Sequence, residues 1–259
     1  MRITLALALA ACTVTAAGWG QQPISEPNLR NLLVKLSSSK DQERAQAFET
    51  LRSNPANLES PDVQAELINL LDRENRYLDS QLEEAQKKGY PDEGDNEGYA
   101  EYCSDLLATV DSFADWNDPR QACILADAAY NDGSAFAAKV VNHSKTTMPC
   151  LLRKSQSPIS MDRAAIIPVL AETLAKAKDT IDPAMTGAAK RVILRALQDT
   201  DEAVRAFTVV ALGSYGDQDM IPALKEVAAT DPSPESQGHS IRKSAAEAIL
   251  EIQKRAGQQ

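Results

Sequence analysis

Apolar residues recur at spacings of three and four along most of the chain after residue 20, and runs that alternate β-branched with polar residues are few. This period is that of amphipathic helices, and Ala, Leu, Glu, Lys and Gln, which dominate these segments, favour the helix. Ser60-Pro61 opens a helical run that Gly89 closes. The same opening recurs at Asp118-Pro119 and at Asp182-Pro183. The pattern predicts an all-α fold with strands rare or absent.

The clearest pattern lies between Asp201 and Val227, where a turn separates two short helices. The inward face predicted for the first helix comprises Val204, Phe207, Thr208, Ala211, Leu212 and Tyr215. Gly213 and Gly216 mark the end of this helix, and Pro222 opens the second. The inward residues predicted for the second helix are Ile221, Leu224 and Val227. Two short helices cannot bury both apolar faces alone, so the unit requires packed neighbours.

The same arrangement recurs further along the chain, since Ile241-Arg242 stands 37 residues after Val204-Arg205. The other repeated positions are Ala245, Ala248 and Ile249, which follow Thr208, Ala211 and Leu212 at the same interval. Repetition at this length is typical of a solenoid of stacked helix pairs.

These residues resemble the HEAT-repeat family, in particular the bacterial HEAT-like repeats also found in phycobilisome lyases. The resemblance covers about residues 188–256 and is carried by Asp201–Arg205, Ala211–Gly213, Gly216-Asp217 and Ile221–Leu224. It implies an α-solenoid of HEAT-like antiparallel helix pairs that acts as a protein-protein interaction scaffold. It does not imply chemistry, because many proteins with this repeat are not enzymes.

The resemblance weakens upstream, and this sets the predicted domain boundaries. Arg44 stands where the repeat has its Arg, but Glu43 replaces the aliphatic residue of the family. The predicted units are a signal peptide at 1–20, a divergent HEAT-like helix pair at 21–75, an irregular helical insertion at 76–160, and the C-terminal HEAT-like repeats at 161–259.

The repeated arginines, Arg205 and Arg242, each follow an inward aliphatic residue near the start of a helix. An Arg stem covers apolar surface there, and its guanidinium reaches a nearby carboxylate, for which Asp199 and Asp201 are the candidates. We therefore interpret both arginines as structural.

The N-terminus has the features of a secretory signal peptide: Arg2, an apolar run from Ile3 to Ala17, and small residues that permit cleavage after Gly18 or Gly20. The run is shorter than the roughly 20 apolar residues of a spanning helix. Leu9–Cys12 also resembles a bacterial lipobox, in which Cys12 would be lipidated. A retained anchor is the third alternative. The prediction is a secreted or periplasmic protein with no membrane span.

Three cysteines would remain after cleavage, and helix geometry ranks their pairings. If 99–115 and 119–131 pack as a hairpin, Cys103 lies about 21 Å from the turn and Cys123 about 9 Å. The offset of about 12 Å exceeds the disulfide limit of about 7 Å between Cα atoms. Residues 134–142 return toward Cys123, and an irregular stretch from His143 to Cys150 can close the distance. The predicted disulfide is Cys123–Cys150, with Cys103 as the remaining thiol.

Charge and composition exclude several functions. The net charge of −10 argues against nucleic-acid binding, which needs clustered Lys and Arg. Two histidines in 259 residues leave little material for multi-His metal sites. Glu93, Asp95, Glu97 and Gly98 fall at positions 1, 3, 5 and 6 of an EF-hand loop, but Ser104 replaces the bidentate Glu at position 12. We interpret this segment as a solvated turn and predict no metal or cofactor.

Catalytic motifs are equally scarce. The sequence has no Gly-rich phosphate loop, nucleophile elbow or zinc-protease motif, and a pairing of Cys150 with His143 has no motif to support it. The predicted function is therefore a non-catalytic, exported scaffold that binds a protein partner. The alternative is an exported enzyme, or a small-ligand or metal-binding protein, with its site at 90–150.

The predicted binding residues lie on the second helices of the repeats, which in HEAT-like solenoids line the concave surface. They are Lys190, Arg191, Arg195 and Lys225, a local basic patch on an acidic protein. The alternative interpretation of these residues is an ordinary solvated helix face.

Overall fold

The computed structural model describes residues 24–89, 97–132, 134–177, 179–234 and 240–258. Twelve α-helices, two short 3-10 helices and no strand occur within these ranges. The α-helices are α1 (Glu26–Leu36), α2 (Asp41–Arg52), α3 (Pro61–Lys87), α4 (Glu97–Asp111), α5 (Pro119–Asp132), α6 (Ser134–Asn142), α7 (Ser144–Lys154), α8 (Ser160–Ala177), α9 (Pro183–Ala196), α10 (Glu202–Tyr215), α11 (Ile221–Thr230) and α12 (Ile241–Ala256). The predicted all-α, HEAT-like solenoid is confirmed.

Helix boundaries follow the local signals in the sequence. α3 starts at Pro61 and is followed by Gly89, whose φ of 77° lies in the left-handed region that favours glycine. The side chain of Asp182 accepts hydrogen bonds from the first turn of α9, and Asp201 does the same for α10. These carboxylates satisfy N–H groups that the helix itself leaves without acceptors.

The N-terminal half packs α1 against α2 and places the long helix α3 beside α4 and α5. A continuous core runs through these helices, with Phe48, Leu70, Leu107 and Leu125 almost fully buried. α5 in turn contacts α6 and α7, and α8 contacts both of them. The region predicted as an insertion therefore shares one core with the C-terminal repeats.

The C-terminal helices form two layers. α8, α10 and α12 lie side by side in one layer, with α10 in the middle, while α9 packs on α8 and α11 packs on α12. α10 and α12 approach closely at Gly213, where an added Cβ would touch the Cβ of Ala248 at 3.4 Å. An added Cβ at Gly216 would meet the carbonyl oxygen of Leu212 at 2.6 Å, so glycine is required at the end of α10.

The predicted inward face of α10 is wrong at one position, because Phe207 is 51% exposed. Val204, Thr208, Ala211 and Leu212 are buried as predicted. Phe207 lies at the edge of their stripe. The spacing of three and four marks the buried stripe without fixing how wide it is.

The predicted partner of Arg205 is also wrong. Its Nε donates to Asp231 Oδ2 at 2.7 Å, and its Nη1 donates to the backbone carbonyl of Asp199. The Asp199 carboxylate is instead held by Arg163, through two hydrogen bonds of 2.8 Å. Arg242 donates to the backbone carbonyl of Asp231. Arg163, Arg205 and Arg242 lie near the starts of α8, α10 and α12. Each ties its helix to the segment that follows α9 or α11.

The stretch from His143 to Cys150, predicted to be irregular, is helical from Ser144 onward. Pro149 lies inside α7, where its missing N–H deprives the carbonyl of Lys145 of its usual helical donor. Both residues are exposed to solvent. The helix therefore continues through the proline to Lys154.

Candidate interaction surface

The surface of α9 that faces away from α8 carries two of the predicted binding residues. Ala189, Ile193 and Ala196 of α9 are buried. Arg191 and Arg195 project from the opposite side and are exposed. The capped start at Asp182 fixes the register of the helix, and burial of the alanine and isoleucine face then determines which side chains meet solvent.

Lys190 lies at the edge of this surface and is already paired. Its Nζ donates to Asp217 Oδ2 at 2.8 Å and to Asp219 Oδ2 at 3.3 Å. The hydrogen bond to Asp217, assisted by Asp219, raises the pKa of Lys190 above its ordinary value. Since two carboxylates compensate its charge, Lys190 contributes little positive potential to a docking partner.

The other three cations have no such compensation. Arg191, Arg195 and Lys225 make no hydrogen bond or ion pair with any residue that the structure describes. Nη1 of Arg191 lies 3.4 Å from the position of a Cβ on Gly187, so its guanidinium folds back along the helix. Lys225 is exposed on α11, whose Leu224 and Val227 are buried. Exposed, uncompensated arginines are frequent energetic centres of protein interfaces.

Two grooves flank the C-terminal end of α9. A groove of about 310 Å³ lies on its α8 side and is lined by residues that include Ile167, Val192 and Arg195. A second groove of about 340 Å³ lies between α9 and α11, and its lining includes Leu194 and Ala223. The C-terminal end of α9 therefore lies between two grooves, and Arg195 lines the one on the α8 side.

A larger cavity of about 630 Å³ opens at the other end of α9. Its lining includes Leu174, Ile193 and Ile252, together with the paired Lys190. The hydroxyl of Thr186 lies in it as a buried oxygen with no hydrogen-bond partner among the described residues. Its charged groups are engaged with each other or, for Arg255, with backbone carbonyls of the α10 C-terminus.

The described part of 90–150, where the alternative function would have its site, uses its reactive residues for structure. Cys123 and Cys150 form a disulfide with Cα atoms 5.5 Å apart, the pair that helix geometry ranked first. Cys150 therefore has no thiol to pair with His143, whose ring stacks on Trp116 at 5.2 Å. No cluster of three or more His, Cys, Asp or Glu residues suited to a metal occurs in the ranges described.

Several predictions from the sequence concern residues that the structure does not describe. They are Cys12 with the rest of the predicted signal peptide, His239, and residues 91–96 of the calcium-like segment. None of the helices that the structure does describe is both long and apolar enough to cross a membrane.

The sequence analysis missed one buried and one partly buried carboxylate, Glu74 and Asp127. Glu74 is 2% exposed and accepts hydrogen bonds from Arg44 Nε at 2.7 Å and from the Tyr99 hydroxyl at 2.6 Å. Burial, together with this carboxylate, raises the pKa of Tyr99 well above its ordinary value. Asp127 has a carboxylate oxygen without a partner in the described structure, and burial raises its pKa to about 6. One feature of the sequence could have revealed Glu74: it is a charged residue on the otherwise largely apolar buried face of α3.

Comparison with known proteins decides the nature of the C-terminal layers. Residues 151–249 match the family of HEAT repeats. The match runs from α7 into α12, covers less than half of the chain, and extends upstream of the segment where sequence resemblance was clear. No curated protein matches the sequence. HEAT repeats commonly act as protein-interaction scaffolds, and α9 and α11 lie within the matched residues.

Proposed function

We propose that this protein is an exported, non-catalytic HEAT-repeat scaffold that binds a protein partner through the exposed surface of α9 and α11. The observation that carries the proposal is that this surface has exposed cations without ion-pair partners. Arg191, Arg195 and Lys225 are exposed and uncompensated among the described residues, on a chain with net charge −10. Cations that an acidic protein leaves exposed and unpaired are available to an external group.

Two features support export to a secreted or periplasmic location. The signal-peptide pattern at 1–20 is one. The Cys123–Cys150 disulfide is the other, because such bonds persist in oxidising compartments. Intact-mass analysis of the native protein tests this. A chain that starts after Gly18 or Gly20 supports release, whereas a mass that includes diacylglycerol on Cys12 would show a lipoprotein.

Affinity capture tests the scaffold. The mature protein is used as bait on an envelope extract of its own organism, and bound proteins are identified by mass spectrometry. The expected result is a protein enriched by the wild type and lost when both Arg191 and Arg195 are changed to Glu. The proposal fails if the double variant enriches the same protein equally, or if the purified protein turns over a substrate.

A further inference from the structure

The groove on the α8 side of α9, which we call the α8–α9 groove, has an aliphatic floor. Ile167 of α8 and Val204 of α10 are almost fully buried beneath it, Ala196 of α9 is buried, and Val192 of α9 is half-buried. Its volume of about 310 Å³ is at the lower end of the range of ligand pockets, which runs from about 300 to 1,000 Å³. The groove therefore suits a single aliphatic group of a partner and not a long segment.

Two of the three charged residues in the described lining neutralise each other. Arg163 donates to the Asp199 carboxylate through Nε and Nη2, both at 2.8 Å. Burial opposes ionisation of Asp199, but hydrogen bonds from Arg163 and from the backbone N–H of Asp201 outweigh it and hold the pKa of Asp199 below the ordinary range. This ion pair therefore offers little net charge to a ligand.

Arg195 is the third charged residue of the lining, and its charge is not compensated. It is exposed and makes no hydrogen bond or ion pair with any residue that the structure describes. It follows Val192 by three residues on α9, so the two side chains are neighbours on the helix surface. The polar residues of the lining, Ser155 and Gln156, carry no charge. The groove therefore places one uncompensated cation beside an aliphatic floor.

We infer that the α8–α9 groove binds the C-terminal residue of a protein partner whose last side chain is aliphatic. That side chain packs on Ile167 and Val192, and the terminal carboxylate pairs with Arg195. A chain end carries both groups on one carbon atom, which matches a small groove with one cation. An internal acidic segment brings the two groups on different residues, and its chain must also continue past both ends of the groove. The inference rests on the proposed scaffold function and specifies which part of the partner binds.

The two contacts have different effects. Burial of the aliphatic side chain supplies most of the affinity, because an exposed ion pair in water contributes little. Arg195 supplies selectivity, since the protein has a net charge of −10 and repels a carboxylate at most other places on its surface. A partner whose end is uncharged, or whose last side chain is polar, loses one of the two contacts.

Four octapeptides test this with the full mature protein, and all consist of Gly and Ser except where stated. The first ends in Leu with a free carboxylate, and the second ends in Leu as the amide. The third ends in Ser with a free carboxylate. The fourth carries Leu followed by Glu in its middle and ends as the amide, so its only carboxylate is internal. Dissociation constants are obtained by titrating each peptide into protein with isotope-labelled methyl groups and following the methyl NMR shifts.

The first peptide is expected to bind most tightly. Its affinity should exceed that of the amide and of the internal-Glu peptide about fivefold, because each lacks the terminal carboxylate. It should exceed that of the Ser-ended peptide about tenfold, because that peptide lacks the aliphatic group. The methyl groups of Ile167, Val192 and Val204 should shift on binding. Leu250, which is 63% exposed on α12 and lies outside the groove lining, should not shift.

Variants test the role of the cation. Arg195→Glu is expected to weaken binding of the first peptide about tenfold. The control is Lys145→Glu with Lys254→Glu, which changes the net charge twice as much at exposed positions on α7 and α12, outside the groove lining. This control should bind within about twofold of the wild type. Circular dichroism verifies that each variant keeps its helicity. Unchanged affinity of Arg195→Glu, or an equal loss in the control, would show that Arg195 does not hold the carboxylate.

Three outcomes of the titrations overturn the inference. If the groove methyl groups do not shift at about 5 mM of the first peptide, the groove is not a site. Equal binding of the acid and the amide, or of the Leu and Ser ends, removes the corresponding contact. Binding of the internal-Glu peptide that equals or exceeds that of the first shows that the partner binds through an internal segment.

These failures are distinguishable from failure of the proposed function. If native partner capture still depends on Arg191 and Arg195 in any of these cases, the scaffold function stands and only the bound part of the partner is wrong. If the extract yields no partner at all, the scaffold function itself fails.

Discussion

Arg205 and Asp231 form a buried ion pair that ties the start of α10 to the segment after α11. Their side chains are 9% and 2% exposed, and the guanidinium also donates to two backbone carbonyls and to Ser233. Every polar atom of the arginine is thus directed into the connection between neighbouring helix pairs. Arg205 therefore holds neighbouring helix pairs together and is not available to a partner.

Loss of this arginine is expected to be strongly destabilising. Arg205→Met leaves the Asp231 carboxylate buried without its cation, which should lower the free energy of unfolding by about 3 to 5 kcal/mol. Urea denaturation monitored by circular dichroism measures the change. The control is Arg30→Met, since Arg30 and its partner Glu26 on α1 are 76% and 74% exposed, and its loss should cost less than about 1 kcal/mol. Equal losses from both variants would show that Arg205 contributes no more than a surface pair.

The helix caps and the Arg205–Asp231 ion pair differ in how far the sequence predicts them. Asp182 and Asp201 act on the N–H groups two or three residues ahead, so their capping role follows from local sequence. The partner of Arg205 lies 26 residues away. It is fixed by how α11 packs on α12, and no local rule gives that angle. Of the two candidates close in sequence, the Asp201 carboxylate caps α10 and the Asp199 carboxylate is bound by Arg163 on α8.

The same distinction holds for the candidate surface. The sequence identified Arg191, Arg195 and Lys225 because they stand opposite the inward residues of their helices. It could not show that Asp217 and Asp219 neutralise Lys190, since these lie 27 and 29 residues away, in the turn after α10. Nor could it show the groove at Leu194, which depends on the separation of α9 and α11. Helix periodicity predicts whether a side chain lies on the buried or the exposed face of its helix. Which residues of other helices it contacts depends on how the helices pack.

Asp127 is expected to make stability depend on pH. Burial raises the pKa of this carboxyl to about 6, and Asp79 and Asp162 add to the effect of burial while Lys154 and Arg153 oppose it. The folded protein therefore holds a proton that the unfolded chain has lost between about pH 4 and pH 6, so this group destabilises the fold as the pH rises through that window. Asp127→Asn should raise the free energy of unfolding by about 1 to 2 kcal/mol at pH 8 and leave it unchanged near pH 4.

Urea denaturation at both pH values checks this prediction. Asp62→Asn serves as the control, because Asp62 is an exposed carboxylate in the first turn of α3. It should have little effect at either pH. A stabilisation by Asp127→Asn that is as large at pH 4 as at pH 8 would show that charge burial is not its cause.

The Cys123–Cys150 disulfide is expected to stabilise the junction of α5 and α7. It joins residues 27 apart in sequence, and the restriction that it places on the unfolded chain is worth about 3 to 4 kcal/mol. Reduction should therefore lower the midpoint of urea denaturation, while Cys103→Ser under oxidising conditions should not. Non-reducing peptide mapping should recover a peptide linking Cys123 to Cys150 and a separate Cys103 thiol. A peptide linking Cys103 to either cysteine would contradict the observed pairing.

The affinity of the captured partner for the charge-reversed surface tests the central claim most directly. The dissociation constant is compared for the wild type, for Arg191→Glu with Arg195→Glu, and for the control Lys145→Glu with Lys254→Glu. The account predicts a loss of about tenfold or more for the first double variant only, with helicity and melting temperature retained, because exposed substitutions shift stability by about 0.5 kcal/mol or less. Unchanged affinity of Arg191→Glu with Arg195→Glu, or an equal loss in the control, would contradict it.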